Sequence, residues 1–325
     1  MYWKSGLVVA AALYLGYFLS SKPDFAPPAI PEDEYFGEGQ VHADDKALRK
    51  FEIKVSEEDI KDLKSRVKAG LNRHFKPLED SRFHDGFNPD AMKQVAEYWL
   101  QHYDWKQHEN YLNRFEHYKT EIEGVKIHYI RSTPVKSEYT TTIPILMVHG
   151  WPGSVWEFHK IIPMLSNPAR YDLGKKFAFE VICPSLPGFG WSGTSSKKGL
   201  SYVATARIYA KLMQRLGFSS YYVQGGDWGS IVVTAMAALY PERVTGLHNN
   251  MPFVASPTFA QVMVKHIVAS FFPSLILDTE DIGRLKPIKQ YFLDLLQETG
   301  YYHMQATKPN TIGEQLYSSL NRFLK

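Results

Sequence analysis

The sequence is short of several things, and each shortage excludes a class. Cys183 is the single cysteine in 325 residues, so no intramolecular disulfide can form. There is no Asn-x-Ser/Thr sequon either, and both absences suit a chain facing a reducing compartment. An excess of one charge is missing as well. The 37 Lys and Arg nearly balance 34 Asp and Glu, for a net +3. No basic stripe stands out, so nucleic acid is not an expected partner. Metal-ligand spacing and a phosphate-cradling glycine loop are also absent, so no metal and no cofactor are expected. What the chain does have is apolar bulk, 44% hydrophobic and 14% aromatic, which suffices for a large buried core.

The other elements are organised around Gly225-Gly226-Asp227-Trp228-Gly229. Tyr221–Gln224 before it reads as a short buried strand, and Ile231–Tyr240 after it as an apolar helix closed by Pro241. A small-x-nucleophile-x-small sequence between strand and helix is a nucleophile elbow, here with aspartate where serine is usual. A Cβ on Gly225 or Gly229 would clash with the neighbouring strand or helix, and the nucleophile is expected in a strained backbone conformation. A carboxylate needs no base to attack carbon and forms an ester that water later cleaves. The bland alternative is that Asp227 only caps the following helix.

A second motif weighs against that alternative. His149-Gly150-Trp151-Pro152-Gly153-Ser154 follows the strand-like Thr142–Val148. The amides of Trp151 and Trp228 are the candidate oxyanion-hole donors. His149 reads as a brace for its loop and not as a base. Four stretches then carry a family resemblance. They are Leu112-Asn113-Arg114-Phe115 through Glu121-Ile122-Glu123-Gly124, His149 to Pro152, Gly225 to Gly229, and Gly300-Tyr301 to Pro309. Together they resemble the epoxide hydrolases, most closely the microsomal branch that includes the insect juvenile hormone epoxide hydrolases.

The resemblance implies an α/β-hydrolase fold, a mostly parallel sheet with helices on both faces, an N-terminal wrapping region and a partial helical lid. It implies domains at 1–22 (membrane anchor), 23–50 (linker), 51–116 (N-terminal region), 117–250 (core) and 251–325 (lid). Within them the residues themselves predict helices at Glu57–Val67, Pro89–Tyr103, Val155–Leu165 and Tyr202–Leu216. They also predict a hairpin over His117–Thr133 turning at Glu123-Gly124, and strands at Phe179–Cys183 and Val244–Leu247. Alternating strands and helices give the parallel sheet. Gly6–Ser21 is apolar between Lys4 and Lys22, slightly short of a full span, and is expected to be an uncleaved anchor. By resemblance it holds the catalytic part on the cytosolic side of the endoplasmic reticulum.

The lid tyrosine implied by the resemblance is Tyr301, with Tyr302 as the alternative. A phenol can protonate an epoxide oxygen without charging the pocket. The implied substrate is a lipophilic epoxide of juvenile-hormone or xenobiotic type. After Asp227 the only histidines are His248, His266 and His303, and none follows a late strand. The expectation is a truncated product lacking the water-activating His–acid pair, with the Val244 strand as a bare sheet edge. Such a chain would be alkylated once and remain so. Two rival functions are a non-catalytic membrane-bound ligand-binding protein and a haloalkane dehalogenase. The latter resembles His-Gly-Asn-Pro at the oxyanion loop, where this chain has Trp151.

Overall fold

The computed structural model describes Tyr14, Gly16, Tyr17 and residues 29–313, apart from 72–75, 77–78, 81, 136–137, 175 and 253–258. The predicted anchor falls almost wholly outside the described residues. Among those described, no helix is long and apolar enough to cross a membrane.

Seven strands form one sheet: β1 Arg49–Phe51, β2 Glu116–Ile122, β3 Val125–Ser132, β4 Thr141–Val148, β5 Phe177–Pro184, β6 Tyr221–Gly225 and β7 Val244–Asn249. Their order is β1-β2-β3-β5-β4-β6-β7. The first three pair antiparallel, β3 also meets β5 antiparallel, and β5, β4, β6 and β7 run parallel. β4 and β5 read as near-continuous apolar runs because strands inside a parallel sheet are covered on both faces. The β2–β3 turn has Glu123 at φ 53° and Gly124 at φ 76°, the paired left-handed residues of a tight hairpin. The three-residue β1 had no signal in the sequence.

Helices α1 Glu57–Leu71, α2 Pro89–His102 and α3 Trp105–Leu112 precede the hairpin. Ser56 caps α1 through Asp59 N–H, and Asn88 caps α2, so both starts follow ordinary capping chemistry. The predicted helix Val155–Leu165 is instead a 3₁₀ turn, Val155–Phe158, followed by α4, Ile161–Ser166. Pro163 explains the break: inside a longer helix its ring would meet the carbonyl one turn back. Restarting at Ile161 puts it in a first turn, where no N–H is needed. α5, Tyr202–Arg215, buries nine residues against the sheet, and α6, Trp228–Leu239, follows the elbow. α6 begins three residues before the helix predicted from Ile231.

Residues 29–252 form one compact unit. Its main core includes Tyr129, Leu146, Ile182, Ile208, Leu212 and Val233. The N-terminal helices are tied into this unit. The Glu109 carboxylate on α3 accepts from Val55 N–H at 2.7 Å and from Trp105 Nε1 at 3.0 Å. A second unit contains α7 Phe259–Phe271, α8 Thr279–Ile282, α9 Ile288–Glu298 and α10 Gly300–Thr307.

Candidate active site

β6 delivers the chain to Asp227 and α6 carries it away, and the turn between them is tight enough to dictate its neighbours. Asp227 has φ 51° and ψ −124°, a conformation that costs a non-glycine residue about 1–3 kcal/mol. A Cβ on Gly229 would run into the Val148 carbonyl of β4, and one on Gly225 into the Gly229 carbonyl. The two glycines thus let the first turn of α6 press against β4 and β6. Gly150 has a sharper reason than motif membership. A side chain there would overlap Asp227 itself.

The carboxylate of Asp227 does not cap α6. Its Oδ1 accepts instead from the Trp151 amide at 2.7 Å. This removes the capping alternative. Trp228 opens α6, so its N–H belongs to the first turn and has no acceptor within the helix. The Trp151 and Trp228 rings are both partly exposed. Trp228 lines an apolar hollow of about 390 Å³ with Leu186, Pro187, Phe189, Tyr202 and Val232. A larger hollow, about 790 Å³, lies at residues 33–46 among charged side chains and touches none of the elbow residues.

His149 is fully buried, with both ring nitrogens engaged. Nδ1–H donates to Gly150 O at 3.0 Å, and Leu186 N–H donates to Nε2 at 3.0 Å. Burial lowers its pKa, so the ring is neutral, held in one tautomer, and braces the loop. Pro152 follows Trp151 through a cis peptide bond. Of the later histidines, His248 is exposed on β7. His266 donates to Lys286 O at 2.8 Å, and His303 is exposed on α10. Tyr301 and Tyr302 both stand half-exposed on α10, in the second unit. The first unit therefore brings Asp227, Gly150, Trp151, Trp228, Gly225 and Gly229 together. Among the described residues there is no group of three or more His, Cys, Asp or Glu that could hold a metal.

The sequence reading passed over Glu157, on the 3₁₀ turn after the oxyanion loop. Its carboxyl pKa is raised by desolvation and by the charge of Asp227. An acid seven residues beyond Gly150, in an otherwise apolar and aromatic stretch, was the available signal.

Strand order, elbow and oxyanion-type loop define an α/β-hydrolase fold with a carboxylate at the elbow. Residues 143–278 match the model of the alpha/beta hydrolase fold, and residues 48–158 match that of the epoxide hydrolase N terminus. Epoxide hydrolase 1 of Sus scrofa is 42% identical over 98% of this chain and 69% of its own length. Juvenile hormone epoxide hydrolase 1 of Ctenocephalides felis is 41% identical over 95% of this chain and 65% of its own. The crystal structure of juvenile hormone epoxide hydrolase from Bombyx mori has a TM-score of 0.80 at 40% identity. It covers 88% of this chain and 66% of that one. The chain belongs to the epoxide hydrolase family. It spans about two thirds of the length of these relatives.

Proposed function

We propose that this chain opens lipophilic epoxides by direct attack of Asp227. The observation that carries the reading is the Asp227 carboxylate, strained at φ 51°, unused as a cap, and held through Oδ1 by the Trp151 amide at 2.7 Å. Attack by Oδ2 on an epoxide carbon forms a C–O ester bond and breaks the ring C–O bond. The ring oxygen takes a proton from Tyr301, with Tyr302 the alternative donor. Oδ1 becomes the ester carbonyl oxygen, already seated on its donor. When water adds to Cγ, the charge that develops on Oδ1 meets the Trp151 amide with no rearrangement needed, and the first-turn N–H of Trp228 is the second donor we assign.

His149 has no ring nitrogen left to activate that water. The apolar hollow beside Trp228 suits the lipophilic substituent of the epoxide. The names of the relatives point to an epoxide of juvenile-hormone type, and the family resemblance adds xenobiotic epoxides as substrates to try. We also propose membrane attachment through the apolar stretch Gly6–Ser21, with the catalytic part on the cytosolic side of the endoplasmic reticulum. Extraction of membranes at high pH tests the attachment, since release of the chain would refute it.

The decisive experiment is intact mass spectrometry after incubation with styrene oxide, alongside Asp227→Asn. An adduct of one epoxide mass in the parent only supports the reading. Diol without adduct would mean that turnover is complete and that a base is present. Neither product would refute the assignment.

A further inference from the structure

We infer that Tyr209 is a positioning residue for the nucleophile, acting through a relay of four hydrogen bonds that ends on Asp227 Oδ1. The inference deepens the proposed function and rests on it for its kinetic readout.

The relay starts in the core. Tyr209 lies on α5, fully buried, and its hydroxyl donates to Ser185 O at 3.1 Å. That carbonyl shares a peptide plane with Leu186 N–H, which donates to His149 Nε2 at 3.0 Å. Because Nε2 accepts, Nδ1 carries the ring proton and donates to Gly150 O at 3.0 Å. Gly150 O in turn shares its plane with Trp151 N–H, which donates to Asp227 Oδ1 at 2.7 Å. Two peptide planes and one imidazole thus connect the hydroxyl to the nucleophile, with every donor pointing the same way.

A buried tyrosine needs some acceptor, and any unpaired carbonyl would meet that need. Ser185 O is not unpaired. Ser192 Oγ already donates to it at 2.8 Å, while accepting from His128 N–H at 3.0 Å. Tyr209 is therefore a second donor on one oxygen, more than burial of that carbonyl requires. Its effect falls on the other end of the same peptide. Two donors fix the plane and polarise it, which strengthens the bond that the Leu186 amide gives to His149. The rest of Ser185 is tied to β3: its N–H donates to His128 O and its hydroxyl to His128 Nδ1, both at 2.9 Å. Burial also pushes the Tyr209 pKa well above the ordinary 10, so near neutral pH the phenol keeps the proton it donates.

At its far end the relay acts where the loop cannot hold itself. Gly150 has no side chain to anchor it, and it cannot have one, because Asp227 fills that space. The plane that carries Trp151 N–H is oriented through the Gly150 carbonyl, which His149 holds. The orientation of His149 is set in turn by the Leu186 amide, and that of the amide by Tyr209 and Ser192.

The test compares the full chain with Tyr209→Phe and with Tyr209→Phe combined with Ser192→Ala. Tyr221→Phe is the control, since it removes a similarly buried hydroxyl that has no partner among the described residues. One readout is the rate of ring opening against styrene oxide concentration, counted as adduct plus diol. The other is amide hydrogen exchange of a peptide spanning Gly150–Gly153, which needs no chemistry. Tyr209→Phe should slow ring opening at saturation about 3–10-fold with the half-saturating concentration unchanged, and the double variant about 10–100-fold. Exchange at 150–153 should rise while that of β5 stays at the parent value. A tyrosine that only fills the core would lower the urea midpoint and leave both readouts alone. Either a parent rate or parent exchange in Tyr209→Phe would therefore overturn the inference, as would equal slowing in Tyr221→Phe. Tyr209→Phe keeps the ring and its packing, so it decides even where the double variant fails to fold. If the parent itself opens no epoxide, the proposed function has failed. Exchange then decides alone: unchanged protection at 150–153 in Tyr209→Phe overturns the relay, and loss confined to that loop upholds it.

Discussion

Two buried polar clusters hang from the β2–β3 hairpin, and they are built on opposite principles. At the turn, Arg207 of α5 donates to both Glu123 oxygens, at 2.7 and 2.6 Å, and to Glu34 at 2.7 Å. Lys211 adds a bond to Glu123 at 2.8 Å and pairs with Asp33. Farther along the hairpin lies a chain with no formal charge. His117 Nε2–H donates to Leu112 O at 2.9 Å, so its Nδ1 accepts from His128 Nε2–H. His128 Nδ1 is then left to accept from the Ser185 hydroxyl, also at 2.9 Å. The difference follows from what each cluster holds. The ionic one fastens residues 31–36, a segment with only Phe36 fully buried, and Glu34 and Asp33 at its rim keep contact with water. The neutral one is dry throughout, where an ion would carry a full desolvation penalty. It also continues towards the active site, because Leu186, next to Ser185, donates to His149.

The largest effect should come from breaking the ionic cluster. Glu123→Gln leaves Arg207, whose side chain is 3% exposed, without its main counter-ion. A loss of about 3–5 kcal/mol is expected in urea denaturation, as for other half-removed buried pairs. Ser185→Ala breaks the neutral chain by stranding an acceptor on His128, and should cost about 1–3 kcal/mol. Its loss should also loosen the amides of the oxyanion loop, which Glu123→Gln should leave protected; hydrogen exchange separates the two. Lys211→Ala should cost about 1 kcal/mol or less, because that side chain is partly solvated and Arg207 remains on Glu123.

The sequence disclosed these regions unequally. Elbow, oxyanion loop and hairpin were legible because each is local: glycines at fixed spacing, an apolar strand, a turn needing left-handed residues. His149 was legible only in part: its bond to Gly150 lies within its own loop, but its other partner, Leu186, is 37 residues away. The two polar clusters were not legible, since their partners lie far apart in sequence, Glu123 with Arg207 and His128 with Ser185. Glu157 was hidden differently. The stretch Val155–Leu165 carries apolar residues at helical spacing, and on a helix Glu157 would belong to a solvated face. Pro163 breaks that helix, and the resulting 3₁₀ turn brings the carboxylate against Gly153.

The smallest effect separates the clusters by pH alone. Burial lowers the pKa of His117 and His149, and it lowers that of His128 further below the ordinary 6.5, with His117, Lys119 and His149 adding repulsion. The unfolded chain therefore takes up protons near 6.5 that the folded protein refuses. Stability is fully present above that pH and falls as the pH drops through it. His128, lowered the furthest, should remove about 0.7 kcal/mol between pH 7 and pH 6. Arg207 keeps its charge over the same interval, since the hydrogen bonds it donates to Glu123 push its pKa up. The drop between pH 7 and 6 should thus be as large in Glu123→Gln as in the parent, whatever the difference in absolute stability. In His128→Gln it should shrink by about 0.7 kcal/mol. Denaturation midpoints at the two pH values measure both. An unchanged drop in His128→Gln would mean that the ring is protonated in the folded chain. The alternation of donors and acceptors from Leu112 to Ser185 would then be broken, because a doubly protonated ring has no lone pair for the Ser185 hydroxyl.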